Sequence, residues 1–215
     1  MSNFTVTPKT KVKISSKRAH YEKSIIYQVL DEARICHIGF VYEGYPVVIP
    51  TIFGRKGDTL YIHGAMGSRM LKTLEEGADL SLNVTHLDGL VLARSAFHHS
   101  MNYRSVVVFG KAEKVGSDEE KLIGMKVITD QVLKGRWEEV RQPNEKELKI
   151  TKILKIKLEE VSAKMRTGKP IDEPEDYELD VWAGELPLVL TPQKPVTDPD
   201  SKKDLPVSES VSRLF

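Results

Sequence analysis

The sequence is poor in cysteine. Cys36 stands alone among 215 residues, so no intrachain disulfide and no multi-cysteine zinc site can form. Long apolar runs are missing too. None approaches the ~20 residues that span a bilayer, so no membrane partner is expected. Neither sign of charge dominates. Lys and Arg number 32 against 31 Asp and Glu, a formal net charge of +1. That balance supplies no global field for nucleic acid. Residues 1–18 hold no apolar signal-peptide core, so a secretory signal is not expected. These absences point to a soluble protein of a reducing compartment, with the cytoplasm as the expected location. What is present suits a globular chain: 40% of residues are apolar and 29% charged. The length fits one domain with tails.

The ends differ from the middle. Residues 1–18 carry Lys9, Lys11, Lys13, Lys17 and Arg18 without an acid, and read as a solvated basic leader. Residues 191–215 carry Pro192, Pro195, Pro199 and Pro206 among charges and serines, and read as a flexible tail. The domain lies between, over residues 19–190. Tyr21, Ile25, Val29 and Ala33 recur every four residues, which predicts a helix over 22–33. Three β-like runs follow at 35–42, 45–53 and 59–64. Glu43-Gly44 and Arg55-Lys56-Gly57-Asp58 separate them, and such short gaps mean antiparallel hairpins. Pro50 argues for an edge or a bulge. A short helix over 68–76 is closed by Gly77. Residues 80–87, 90–93 and 103–115 read as strands, the last buried on both faces because Val106–Phe109 is apolar without a break. Ser117 and Glu120 form a capping-box pattern. The helix after them shows Leu122, Met125, Ile128 and Val132 on one face, and 148–161 returns to strand. The sum is a mainly β fold with at least six strands in meander order, which packs best as a small antiparallel barrel with flanking helices.

Motifs of nucleotide folds and hydrolases are missing: no GxGxxG, Walker A, GxSxG or HExxH occurs. The six histidines are His20, His37, His63, His86, His98 and His99. None are paired at i, i+4 on a helix, and no metal site is expected. Cys36 sits in a strand and reads as a small core residue. Two stretches have a rationale for a ligand. In His63-Gly64-Ala65-Met66-Gly67-Ser68-Arg69, a strand end opens through glycines into a helix. Helix starts offer free N–H groups to phosphate, and Arg69 adds a donor fork. A plain cap with a solvated Arg69 fits the same residues. In Asn102-Tyr103-Arg104-Ser105, polar groups and an aromatic gather where a strand leaves a loop. They suit a planar polar ligand or an ordinary strand start. Trp182 stands isolated beyond an acid- and proline-rich stretch, as a stacking lid or as the docking point of a terminal arm.

The strings HGAMGSRML, LVLARSAFHHSMNYRSVVVFGKA and SAKMRTG…VWAGELPL resemble the flavin-nucleotide-binding branch of the pyridoxamine 5′-phosphate oxidase-like family, whose relatives include the nitroimidazole reductases. The resemblance covers roughly residues 17–190. It implies an FMN-binding split barrel, six-stranded and antiparallel, and a homodimer with FMN at its interface. It places Ser68 and Arg69 at the FMN phosphate, with His63 and Gly64 on the strand end leading to it. It places Val48, Ile49, Pro50 and Thr51 along the isoalloxazine, Arg104 and Ser105 against the flavin, and Trp182 near the cofactor. The vitamin site is not kept. The oxidase's basic residue after the second strand is replaced by Ile52 or Phe53, and its arginine-containing C-terminal segment is missing. The implied activity is an FMN-dependent oxidoreductase acting on an unidentified small molecule. No catalytic residue is assigned, although His63, His98 and His99 are candidates for proton transfer. A non-catalytic flavin carrier or sensor is the alternative, and heme binding or degradation on the same barrel a weaker one.

Overall fold

Chain reversal begins at Glu43-Gly44, where both residues take positive φ (49° and 82°). This is the two-residue turn whose twist suits a hairpin. A computed structural model describes residues 2–202 and 205–215. Its elements run β1 (Ala19–His20), α1 (Lys23–Glu32), β2 (Ile35–Tyr42), β3 (Tyr45–Lys56), β4 (Thr59–Ala65), α2 (Arg69–Glu75), β5 (Leu80–Leu92), β6 (Ser100–Gly110) and β7 (Ala112–Lys114). Then come α3 (Asp118–Val132), α4 (Arg136–Glu139), α5 (Glu145–Ile150), β8 (Thr151–Lys157), β9 (Glu160–Arg166), β10 (Gly184–Pro187) and α6 (Glu209–Ser212).

Every strand pair is antiparallel. The order is β1-β9-β6-β5-β2-β3-β4-β8-β7, with β10 added to β5. The sheet stays open between β1 and β7, so the expected mainly β split barrel with flanking helices is the observed fold. The strand count differs. Among the described residues ten strands form, because β1, β7 and β10 add short edge pieces and the 148–161 run divides. Its first residues are helical in α5, and it turns at Leu158-Glu159 between β8 and β9.

One core fills the inside. It joins Ile38 and Phe40 of β2, Leu82 and Val84 of β5, Val106 and Val108 of β6, and Ile26 and Leu30 of α1. A smaller cluster lies behind β4 and β8, where Ile128 of α3 packs on Tyr61 and Ile153. The contact of α3 with β3 is backbone on backbone. A Cβ at Gly54 would stand 2.5 Å from the Val127 carbonyl oxygen, so any larger residue would have to push α3 off the strand. Pro50 also finds its reason. β4 pairs β3 only from Phe53 onward, so at Pro50 only β2 bonds the strand. Among the described residues no helix is long and apolar enough to cross a membrane.

Several expectations shift. α1 buries Ile26, Val29 and Leu30, a face offset from Tyr21 and Ile25. α3 buries Gly124 and Ile128 while Val132 is exposed. Ser117 accepts from the Glu120 N–H, but the Glu120 carboxylate turns to Lys155 instead of closing the box. The reciprocal box forms at Asn144 and Glu147. β6 is not buried on both faces. Val106 and Val108 are covered, while Val107 and Phe109 are only half-covered in this chain. The basic leader is packed, not solvated. Phe4 and Thr10 are buried, Asn3 bridges to Glu22, and Lys9 pairs with Glu160 at 3.0 Å. The tail returns to the body at its end, where Ser210 is buried.

Candidate functional site

Successive strand residues face opposite ways, and paired residues share a face. Two surfaces result from β2, β3, β5 and β6. On the outer one, Ile35, His37, Gly39 and Val41 pair with Ile52, Pro50, Val48 and Pro46. The surface continues through Asn83 and Thr85 to Val107 and Ser105. Val48, Val41 and Ile35 are exposed. The middle is small and polar. A Cβ at Gly39 would lie 2.8 Å from Ser81 Oγ. Ser105 Oγ donates to the Lys164 carbonyl at 3.1 Å, and Thr85 Oγ1 donates to Asn83 Oδ1 at 3.0 Å. This face thus offers short hydrogen-bonding groups within an apolar rim.

The structure brings part of the expected set together here. Val48, Pro50 and Ser105 share the outer face. Ile49 turns inward against the core, and Thr51 pairs with buried Cys36. Arg104 also leaves the group, because it alternates with Ser105. Its guanidinium donates to Asp88 at 3.0 and 2.9 Å and also to Glu32. Those carboxylates, Asp88 first, push its pKa further up. His37 reaches the outer face unannounced, although strict alternation about buried Cys36 and Ile38 was a readable signal.

The loop after β4 caps α2. Leu71 N–H donates to Ser68 Oγ at 3.4 Å. Arg69 is exposed and lies 4.9 Å over the Tyr42 ring, with no ion pair among the described residues. Gly64 has a packing reason: a Cβ there would meet Leu71 Cδ1 at 3.0 Å. Trp182 is 69% exposed and folds over its own Gly184, whose added Cβ would lie 3.0 Å from the ring. His98 lies 3.5 Å from Glu173, and His99 bonds the Ser95 carbonyl. Burial pushes the Cys36 thiol up to about 12, so it is no nucleophile at neutral pH.

His63 has the most unusual setting. It sits on β4 in a cavity of about 460 Å³ lined by Ile52, Met125, Ile128, Val132 and Trp137, with Arg136 and Arg141 also on its wall. Its Nδ1 is buried without a hydrogen-bond partner. Burial lowers its pKa below the ordinary 6.5, so the imidazole is neutral at pH 7. A neutral imidazole in an apolar cavity of ligand size can coordinate a metal centre or meet a planar apolar ligand, while the two guanidinium groups are paired within the chain, Arg136 with Glu139 at 3.1 Å and Arg141 with Glu147 at 2.7 Å. Ile52 lines this cavity and belongs to the outer face, so the two sites adjoin. Sequence reasoning missed Arg136, Trp137 and Arg141; a lone tryptophan between charges was the only signal. Among the described residues no cluster of three His, Cys, Asp or Glu side chains could hold a metal ion.

Comparison with known proteins adds to this geometry. The family model for pyridoxamine 5′-phosphate oxidase matches residues 22–165. No functionally curated protein matches. Flavocytochrome Anf3 from Azotobacter vinelandii is 36% identical, with TM-score 0.91 and 96% of each chain covered. The FAD and heme binding protein from Mycobacterium smegmatis is also 36% identical, with TM-score 0.88, covering 92% of this chain and 97% of that one. A candidate 5-nitroimidazole antibiotic resistance protein from Bacteroides thetaiotaomicron shares the fold at 23% identity and TM-score 0.58, over 68% of this chain and 85% of the other.

Proposed function

The chain belongs to the pyridoxamine 5′-phosphate oxidase family, and we propose that it is a redox protein binding both a flavin and heme. The carrying observation is His63, a neutral imidazole with an unpartnered buried Nδ1 in a largely apolar cavity. The two relatives at 36% identity, a flavocytochrome and a FAD and heme binding protein, support the reading. His63 would supply a nitrogen to the heme iron, and Arg136, already paired with Glu139, and Arg141, already paired with Glu147, would face the heme carboxylates. Ile128, Val132 and Trp137 would keep water from the ring. Bound together, heme supplies one-electron chemistry and the flavin exchanges one or two electrons.

The flavin belongs on the outer face. Val48 and Pro50 would flank the ring, while Ser105, Asn83 and Thr85 would orient it. Ser68 and Arg69 would hold a phosphate. FMN is the expectation from one phosphate-sized loop. The FAD of the M. smegmatis relative favours the dinucleotide, and we read the flavin as FAD. Chromatography of the released cofactor decides between the two. The exposed Ile35, Val41 and Val48 need cover, and a second copy provides it symmetrically. We read the protein as a homodimer with the flavin at that seam. The activity is that of an oxidoreductase with an unidentified partner molecule.

The test is spectroscopic. Hemin added to the purified protein should give a sharpened, shifted Soret band. His63→Ala should lose it and keep its flavin. Unchanged hemin binding in that variant, or none in the wild type, would overturn the heme reading.

A further inference from the structure

Beyond β10 the chain runs along the body to Pro192, lining a hollow with Glu32 and Arg104, and then leaves it. Residues 189–202 are exposed, and among the described residues their hydrogen bonds are local, from Gln193 to Thr191 and from Asp200 and Ser201 to Asp198. The chain then returns. α6 has four residues, too few to hold helical form alone, yet Ser210 is 3% exposed. Its N–H donates to Glu139 Oε1 at 2.7 Å, and its hydroxyl donates to Oε2. Ser208 Oγ accepts from Arg136 Nη1 at 3.0 Å. Arg136 in turn pairs with Glu139 at 3.1 Å. The Ser210 bonds hold the Glu139 carboxyl down to about 2, so the anchor is charged throughout the neutral range.

α4 is itself four residues long. Arg136 and Trp137 of α4 line the His63 cavity, while Arg136 and Glu139 hold the C-terminus. Leu214 continues the contact into a neighbouring hollow of about 810 Å³, which shares Val132 with the first. The cavity wall is therefore fastened from behind by the end of the chain.

We infer that residues 208–215 form a strap that holds α4 against the His63 cavity, so that its release admits or frees the cavity's ligand. This rests on reading that cavity as a ligand site. Release is local, because the exposed stretch before the strap makes no hydrogen bond to the body among the described residues. Deleting the tail is then not neutral for the site, contrary to what its proline-rich, polar sequence implies.

Access is read without any ligand. In a Trp182→Phe background the fluorescence comes from Trp137 alone, because the chain has two tryptophans. Ser210→Phe cannot seat its ring at so buried a position, and deletion of 205–215 removes the strap entirely. Both should raise acrylamide quenching of Trp137 several-fold and speed amide exchange in residues 136–141, with the melting transition still cooperative. Unchanged quenching in both variants would overturn the strap. So would unfolding of the barrel in both, since a strap must be removable. Raised quenching in a protein that binds no hemin would keep the strap and discard the heme reading.

Discussion

The inner and outer faces of one sheet make unlike use of the same strands. Inside, Ile38, Leu82, Val84, Val106 and Val108 are at most 1% exposed and purely aliphatic. Outside, their neighbours are His37, Gly39, Asn83, Thr85 and Ser105, within a rim where Val48 is 66% exposed. Alternation makes both surfaces from one chain. The difference lies in side-chain size and polarity. Bulky aliphatics close a core. Short hydroxyls and amides beside a glycine leave room for a flat ligand and bonds to orient it.

The largest test of that contrast is Leu82→Ala. It should cost about 2–5 kcal/mol of stability in urea unfolding, the range for emptying a well-packed site. Val48→Asp, on the other face, should leave the circular dichroism spectrum intact and convert the proposed dimer to monomer in sedimentation. Similar unfolding in both variants would erase the distinction. Next is Arg69→Ala, which should weaken the flavin by about 1.5–3 kcal/mol, roughly ten- to a hundred-fold in Kd, with riboflavin affinity unchanged. Ser105→Ala should follow at about 0.5–1.5 kcal/mol, the value of a neutral hydrogen bond. The smallest effect is a slope. His63 is held below its ordinary 6.5 by burial, so the unfolded chain takes up the proton first as pH falls. Stability from this residue is complete above 6.5 and declines below it. The Tm of the ligand-free wild type should therefore drop more steeply than that of His63→Gln between about pH 7 and about pH 5. Parallel curves would show His63 to be freely solvated.

Local chemistry was the legible part. The Glu43-Gly44 turn, the Ser68 cap and the alternation in β2 can be read from neighbours in sequence. The run Val106–Phe109 hides its alternation, because all four residues are apolar and only the partner strands decide which are covered. Arg104 and Ser105 look like one cluster until period two separates them. Long-range docking was not legible. Phe4 is one aromatic before a run of bases, and nothing nearby announces that its ring meets Tyr27 edge-on and its N–H donates to the Tyr21 carbonyl. Ser210 meets Glu139 from 71 positions away. Trp137 lies between Arg136 and Glu138, a context that reads as surface until α3 and β4 enclose it.

Gly54 gives the fold an adjustable joint. A methyl group there would press on the backbone of α3 at Val127. Gly54→Ala would act as a wedge and tip the helix as a single plate. Met125, Ile128, Thr129 and Val132 would travel with it, away from His63 or across it. The space beside the imidazole would then change in shape while every side chain around it kept its identity. Overpacking of this kind costs about 1–3 kcal/mol or more, and the upper end is expected because the atoms it meets are backbone. Position 54 is thus a dial on cavity size, set from outside the cavity, and a means of selecting which ligand fits without rewriting the wall that touches it.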